Sequence, residues 1–140
     1  MQATAFLEVA EALRFIERPA ARRSAVSRAY YAVFHVATHA QRTLGARRSP
    51  SHDVVGPRVQ ASPEGAVRAI GDAFLGLEAR PVESDYRLGS PSVVEDGDTV
   101  VAIVDDARQL CAVLADLPAG SLARAAAVGI RAFDALGAKG

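Results

Sequence analysis

The sequence predicts an all-α protein, an up-and-down bundle of four to six helices. Three observations predict it. Apolar residues recur at spacings of three and four along nearly the whole chain, the repeat of one helix face. Prolines and glycines punctuate these stretches. No segment carries a convincing strand alternation; the β-branched run Thr99 to Val104 lies inside a longer three/four repeat. The length of 140 residues fits one domain, and a hydrophobic share of 50% is enough for a packed core.

The first helix is expected over Ala3 to Glu17, with Phe6, Val9, Ala10, Leu13 and Ile16 on its buried face. Pro19 ends or resets it. A second helix is expected from about Ala21 to Leu44, with Val26, Tyr30, Val33, Ala37, Ala40 and Leu44 facing the core and Gly45 as its stop. Residues 46–61 hold two prolines and no sustained period, so they read as a long loop with one helical turn near Val54 and Val55. Ser62-Pro63-Glu64 has the chemistry of a helix start: a cap, a proline at the first position and an acid at the positive end of the dipole. Val67, Ile70, Phe74 and Leu77 mark the buried face that follows, and Pro81 should end or kink the helix.

Ser92-Val93-Val94-Glu95 matches a capping box ahead of a helix bearing Val100, Ile103, Val104, Ala107, Leu110, Cys111, Leu114 and Leu117. Pro118-Ala119-Gly120 breaks it. A last helix follows Ser121, with Leu122, Ala126, Ile130 and Phe133 on one stripe and Gly129 as a weak point. Residues 1–118 form the bundle, and residues 119–140 a C-terminal addition expected to pack on a partner subunit.

Charge is distributed unevenly. The net charge is zero, yet Arg14 to Arg48 holds eight arginines against one acid, and Asp53 to Asp116 holds five arginines against twelve acids. Two readings are open: the halves neutralise each other, or the basic half faces an anionic partner such as RNA. The single cysteine, Cys111, excludes an intramolecular disulfide, which fits a cytoplasmic setting, and it lies on an apolar stripe. No Cys/His cluster has metal-ligand spacing and no glycine loop has nucleotide-binding form, so no metal or cofactor is expected. No apolar run is long enough to cross a membrane, and no segment reads as a secretory signal.

The most informative stretch is Arg22 to Arg42. Seven residues separate Arg28 from His35, nearly two helical turns, so both side chains leave one face about 10 Å apart along the axis. Ser24, Tyr31, Thr38, His39 and Arg42 lie on or near that face. Histidine titrates near neutrality and moves protons; a guanidinium holds phosphate oxygens and stabilises developing charge. These are the roles that phosphodiester cleavage in RNA requires. The alternative is structural, with Arg28 paired to an acid such as Asp85. His39 reads as a surface residue and His52 as a solvated loop residue, with a swing of that loop toward the site as the alternative for His52.

The segment Arg23-Ser24-Ala25-Val26-Ser27-Arg28-Ala29-Tyr30-Tyr31-Ala32-Val33-Phe34-His35 resembles the signature helix of the HEPN (higher eukaryotes and prokaryotes nucleotide-binding) superfamily, in particular its small stand-alone prokaryotic members. Ser51-His52 and Ser84-Asp85-Tyr86 resemble further features of that branch. The resemblance implies a helical bundle, commonly a homodimer. It implies a metal-independent ribonuclease of toxin or defence type, with Arg28 and His35 catalytic. Tyr31, Arg42, Arg47 and Arg48 would guide RNA, and Arg80, Asp85 and Tyr86 would support the site. A nucleotidyltransferase-type antitoxin is an implied partner. In active relatives the catalytic motif generally lies on a later helix, which corresponds here to Arg80 to Tyr86, where Asp85 and Tyr86 replace a histidine. The second implied reading is therefore a non-catalytic module that binds nucleotide, RNA or such a partner.

Overall fold

The computed structural model describes residues 2–47, 51–86 and 97–137, and the side chains of 2–47, 51–78 and 97–136 among them. The described residues form six α-helices and no strand: α1 (Ala3–Leu13), α2 (Pro19–Thr43), α3 (His52–Gln60), α4 (Gly65–Tyr86), α5 (Gly97–Asp116) and α6 (Ala123–Gly137), with a 3₁₀ turn at Leu117–Ala119. The fold is the all-α bundle that the spacing predicts. None of these helices alone is long and apolar enough to cross a membrane.

The 25-residue α2 is the central element, packed by α1 and α5 and touched by α3 and α4. Val26, Tyr30, Val33, Ala37 and Ala40 are buried, as their spacing requires. Alanines interleaved with these positions (Ala25, Ala29, Ala32) are also buried, which lets neighbouring helices approach α2 closely on two sides. Val67, Phe74 and Leu77 of α4, and Val100, Ile103, Val104, Ala107 and Leu114 of α5, complete the core. Cys111 is half-buried and free; burial pushes its thiol up to about 11, so it packs as a small hydrophobe.

Several boundaries differ from the sequence reading. Helix α1 ends at Leu13, not near Glu17, and leaves Val9 and Ile16 exposed. Arg14 curls back to donate to the Glu11 carbonyl (2.6 Å) and lies over the Phe15 ring, which satisfies a carbonyl of the last turn in place of a further turn. Pro19 does not merely stop a helix. It occupies the first position of α2, where its missing N–H costs nothing. At the other end of α2, Gly45 takes φ +100°. Its N–H donates to the Arg42 carbonyl (3.1 Å), and that of Ala46 to Gln41 (2.8 Å), a left-handed stop that glycine favours.

The largest correction is α3. Residues expected to form a loop form a nine-residue helix instead. Its period is hidden for two reasons. Pro57 removes one backbone donor inside it, and a buried arginine, Arg58, stands among the buried Val55, Gly56 and Val59. Ser62 does not start the next helix directly. Its hydroxyl accepts the Glu64 N–H (3.2 Å) and donates to the Ala125 carbonyl (2.9 Å), and α4 begins at Gly65. Helix α4 continues past Pro81 to Tyr86. The capping box at 92–95 lies outside the described residues.

Helix α6 packs on α3 and on the α3–α4 turn of its own chain. Gly129 is the reason it fits: a Cβ there would stand 2.5 Å from the Ser62 backbone nitrogen. Between α3, α6 and α2 lies a buried polar cluster. The Arg58 Nε donates to Asp134 Oδ1 (2.9 Å) and its Nη1 to Gln41 Oε1 (3.3 Å). Gln41 in turn donates to the Val55 carbonyl (2.7 Å), and the Arg47 N–H donates to Asp134 Oδ2 (3.2 Å).

Candidate nucleic-acid interface

The polar face of α2 is a continuous exposed stripe of Ser24, Arg28, Tyr31, His35, His39 and Arg42, at spacings of three and four. It exists because the opposite face carries the core residues, and a 3.6-residue period leaves one lane free for polar side chains. Over eighteen residues the stripe is about 27 Å long. Thr38, expected near this face, is buried instead, and its hydroxyl has no hydrogen-bond partner among the described residues.

Arg28 and His35 meet through a residue of another helix. Phe6 of α1 lies between them: the Arg28 guanidinium carbon is 5.6 Å from the Phe6 ring centroid, and the His35 ring stacks on Phe6 at 5.2 Å and 14°. No carboxylate among the described residues bonds to either side chain. The cation–π contact occupies one side of the guanidinium and leaves its donors available for phosphate oxygens.

Phe6 is also one member of a closed circuit of five rings. Phe6 contacts Tyr31 (6.0 Å), Tyr31 meets His52 edge-on (6.1 Å), and His52 stacks on Phe34 (4.3 Å, 20°). Phe34 meets His35 edge-on (5.7 Å), and His35 returns to Phe6. Tyr31, His35 and His52 are exposed. Rings of this kind offer faces on which nucleobases stack regardless of sequence.

Beneath the circuit sits Tyr30, buried except for 5% of its surface. Its hydroxyl is hydrogen-bonded to His52 Nδ1, and the Glu78 carboxylate of α4 is a charged neighbour. Burial first, and then the charge of Glu78, hold the phenol far above its usual range, so it stays protonated. Burial also raises Glu78, with Asp53 adding to the effect, while the His52 charge and the Tyr30 hydrogen bond pull the other way.

The structure thus brings Arg28, Tyr31 and His35 together and adds Phe6, Phe34, His52, Tyr30 and Glu78 to them. Arg42 is exposed on the same lane, about 21 Å along the axis from Arg28. Arg47 is exposed at the far end of α2, beside α6. Arg48 lies outside the described residues. Arg80, Asp85 and Tyr86 lie on the last turns of α4, and their side chains are outside the described residues. His52 was reachable from sequence through its place in the Ser51-His52 pair and as a loop histidine able to swing toward the site. Glu78 carried no signal, because it is one acid among twelve in an acidic half.

No family model, no curated protein and no solved structure matches this chain. The likeness to HEPN proteins therefore rests on the residues quoted above.

Proposed function

We propose that the protein acts on RNA as a metal-independent, HEPN-type ribonuclease, with the exposed face of α2 as its site. The observation that carries this reading is the placement of Arg28 and His35. Both are exposed, both rest on Phe6, and neither bonds to a carboxylate among the described residues. The acid that a structural reading pairs with Arg28, Asp85, has its side chain outside the described residues. In the proposed reaction Arg28 holds the phosphate and stabilises the charge that grows on it. His35 moves a proton. Tyr31 offers a ring for a base, and Arg42, with Arg47 and Arg48 beyond it, attracts the backbone. A cytoplasmic toxin or defence role, a homodimer and an antitoxin partner of nucleotidyltransferase type are what the HEPN resemblance adds.

One observation favours a second reading. The Phe6 ring stands against both Arg28 and His35, a geometry that serves base stacking as well as cleavage. A non-catalytic module would use the same face to bind RNA or nucleotide.

The test is cleavage of a mixed-sequence RNA in EDTA by the wild type, Arg28→Ala and His35→Ala, each checked for retained helicity. Loss of about 10²-fold or more in both folded variants is expected. RNA binding without cleavage by the wild type selects the second reading. Cleavage that survives both substitutions places the site elsewhere.

A further inference from the structure

His52 is the first residue of α3, and the helix directs it onto the α2 face. Its ring stacks on Phe34 at 4.3 Å, while His35 meets the other histidine's neighbour, the same Phe34, at 5.7 Å. Two exposed imidazoles from different helices therefore share one aromatic ring. They differ in one respect. His35 has only ring contacts among the described residues, whereas His52 is tied through Nδ1 to Tyr30, behind which stands Glu78.

The hydrogen bond between Tyr30 and His52 Nδ1 fixes the imidazole at that nitrogen and leaves Nε2 as the nitrogen available to a ligand. The charged and titratable groups around His52 are Tyr30 and Tyr31 on α2, its neighbour Asp53 on α3 and Glu78 on α4. His35 has no such anchor among the described residues, only ring contacts.

We propose that His52 is the general acid of this face, paired with His35 as general base on one RNA phosphodiester within a single subunit, and that Tyr30 is its positioning residue. The inference rests on the ribonuclease reading above. His35 takes the proton of a ribose 2′-hydroxyl, and the 2′-oxygen forms a bond to phosphorus. The bond from phosphorus to the 5′-oxygen breaks, and His52 gives its Nε2 proton to that leaving oxygen. The products are a 2′,3′-cyclic phosphate and a 5′-hydroxyl end, and the step needs no further reactant.

The experiment compares two substrates across pH in EDTA: a short RNA, and uridine 3′-(4-nitrophenyl phosphate), whose leaving group departs without a proton. On RNA, His52→Ala should lose about 10²- to 10⁴-fold and its rate should no longer fall at high pH, because that fall reports deprotonation of the acid. On the aryl ester it should retain nearly the wild-type rate, while His35→Ala stays inactive on both. Tyr30→Phe should lose activity on RNA and keep nearly the wild-type rate on the aryl ester, a split that loss of packing alone does not produce. Equal losses of His52→Ala on both substrates, or an unchanged rate on RNA, overturn the proposal while the ribonuclease reading stands. Absence of any cleavage by the wild type removes both. If His52→Ala does not fold, His52→Gln replaces it, and the wild-type high-pH fall must coincide with the NMR titration of His52; a mismatch overturns the assignment.

Discussion

Two arginines, Arg58 of α3 and Arg28 of α2, show how the same side chain serves different ends. Arg58 is 1% exposed, and its guanidinium is held by Asp134 and Gln41, so the charge joins α3, α6 and α2. Arg28 is exposed, and its one described contact is the face of an aromatic ring. A buried charge is tolerated only when its donors are met, and removing one partner leaves the rest stranded. An exposed charge resting on a ring keeps its donors free. The difference separates a structural strut from a group that can receive a ligand, although both residues are simply arginine in the sequence.

The comparison breaks most visibly by truncating each arginine in turn. Arg58→Ala removes the buried partner of Asp134 and Gln41 and should cost about 3–5 kcal/mol. Arg28→Ala removes an exposed side chain and should change stability by no more than about 0.5 kcal/mol. Urea unfolding followed by circular dichroism measures both. Equal losses would show that Arg28 holds the fold together, and the case for a free phosphate ligand would fail with it.

Much of the fold was legible because burial follows period. Val26, Tyr30, Val33, Ala37 and Ala40 could be placed in the core from spacing alone, and so could the core residues of α4 and α5. Helix α3 was not legible, since Pro57 and the buried Arg58 break the pattern that marks a helix. The candidate site divides the same way. Arg28, Tyr31 and His35 share one helix, so their common face follows from helix geometry. Phe6, His52 and Glu78 come from three other helices, and only tertiary packing brings Phe6 to Arg28 and His35, His52 to Tyr30 and Phe34, and Glu78 to Tyr30. Phe6 was read as core, and in fact it is the half-buried ring between the two key residues.

A smaller effect sharpens the contrast from the α6 side. The Cβ of Gly129→Ala would press on the Ser62 backbone at 2.5 Å and on Ala61 at 3.0 Å, and neither can rotate away. Overpacking of this kind costs about 1–3 kcal/mol, against a helix-propensity gain of about 1 kcal/mol. A modest net loss in Tm is expected. The five-ring circuit does not touch α6, so RNA cleavage below the melting transition should match the wild type. A fall in both together would mean that the strut and the stripe form one cooperative unit.

The smallest effect concerns Glu78, which shares features of both regions: partly buried like the strut, yet adjoining the exposed histidine. Its folded-state pKa is raised, chiefly by burial. The folded protein therefore binds this proton more readily than the unfolded chain, and the ionised carboxylate opposes folding. Its contribution is most favourable at low pH and is lost as pH rises from the ordinary carboxylate range through the raised value. Glu78→Gln removes the titration and should flatten the dependence of Tm on pH over that window, with the variant gaining on the wild type toward neutrality. A variant with an unchanged Tm profile would show Glu78 to be solvated, and the exposed site would then end at Tyr30 with no carboxylate behind it.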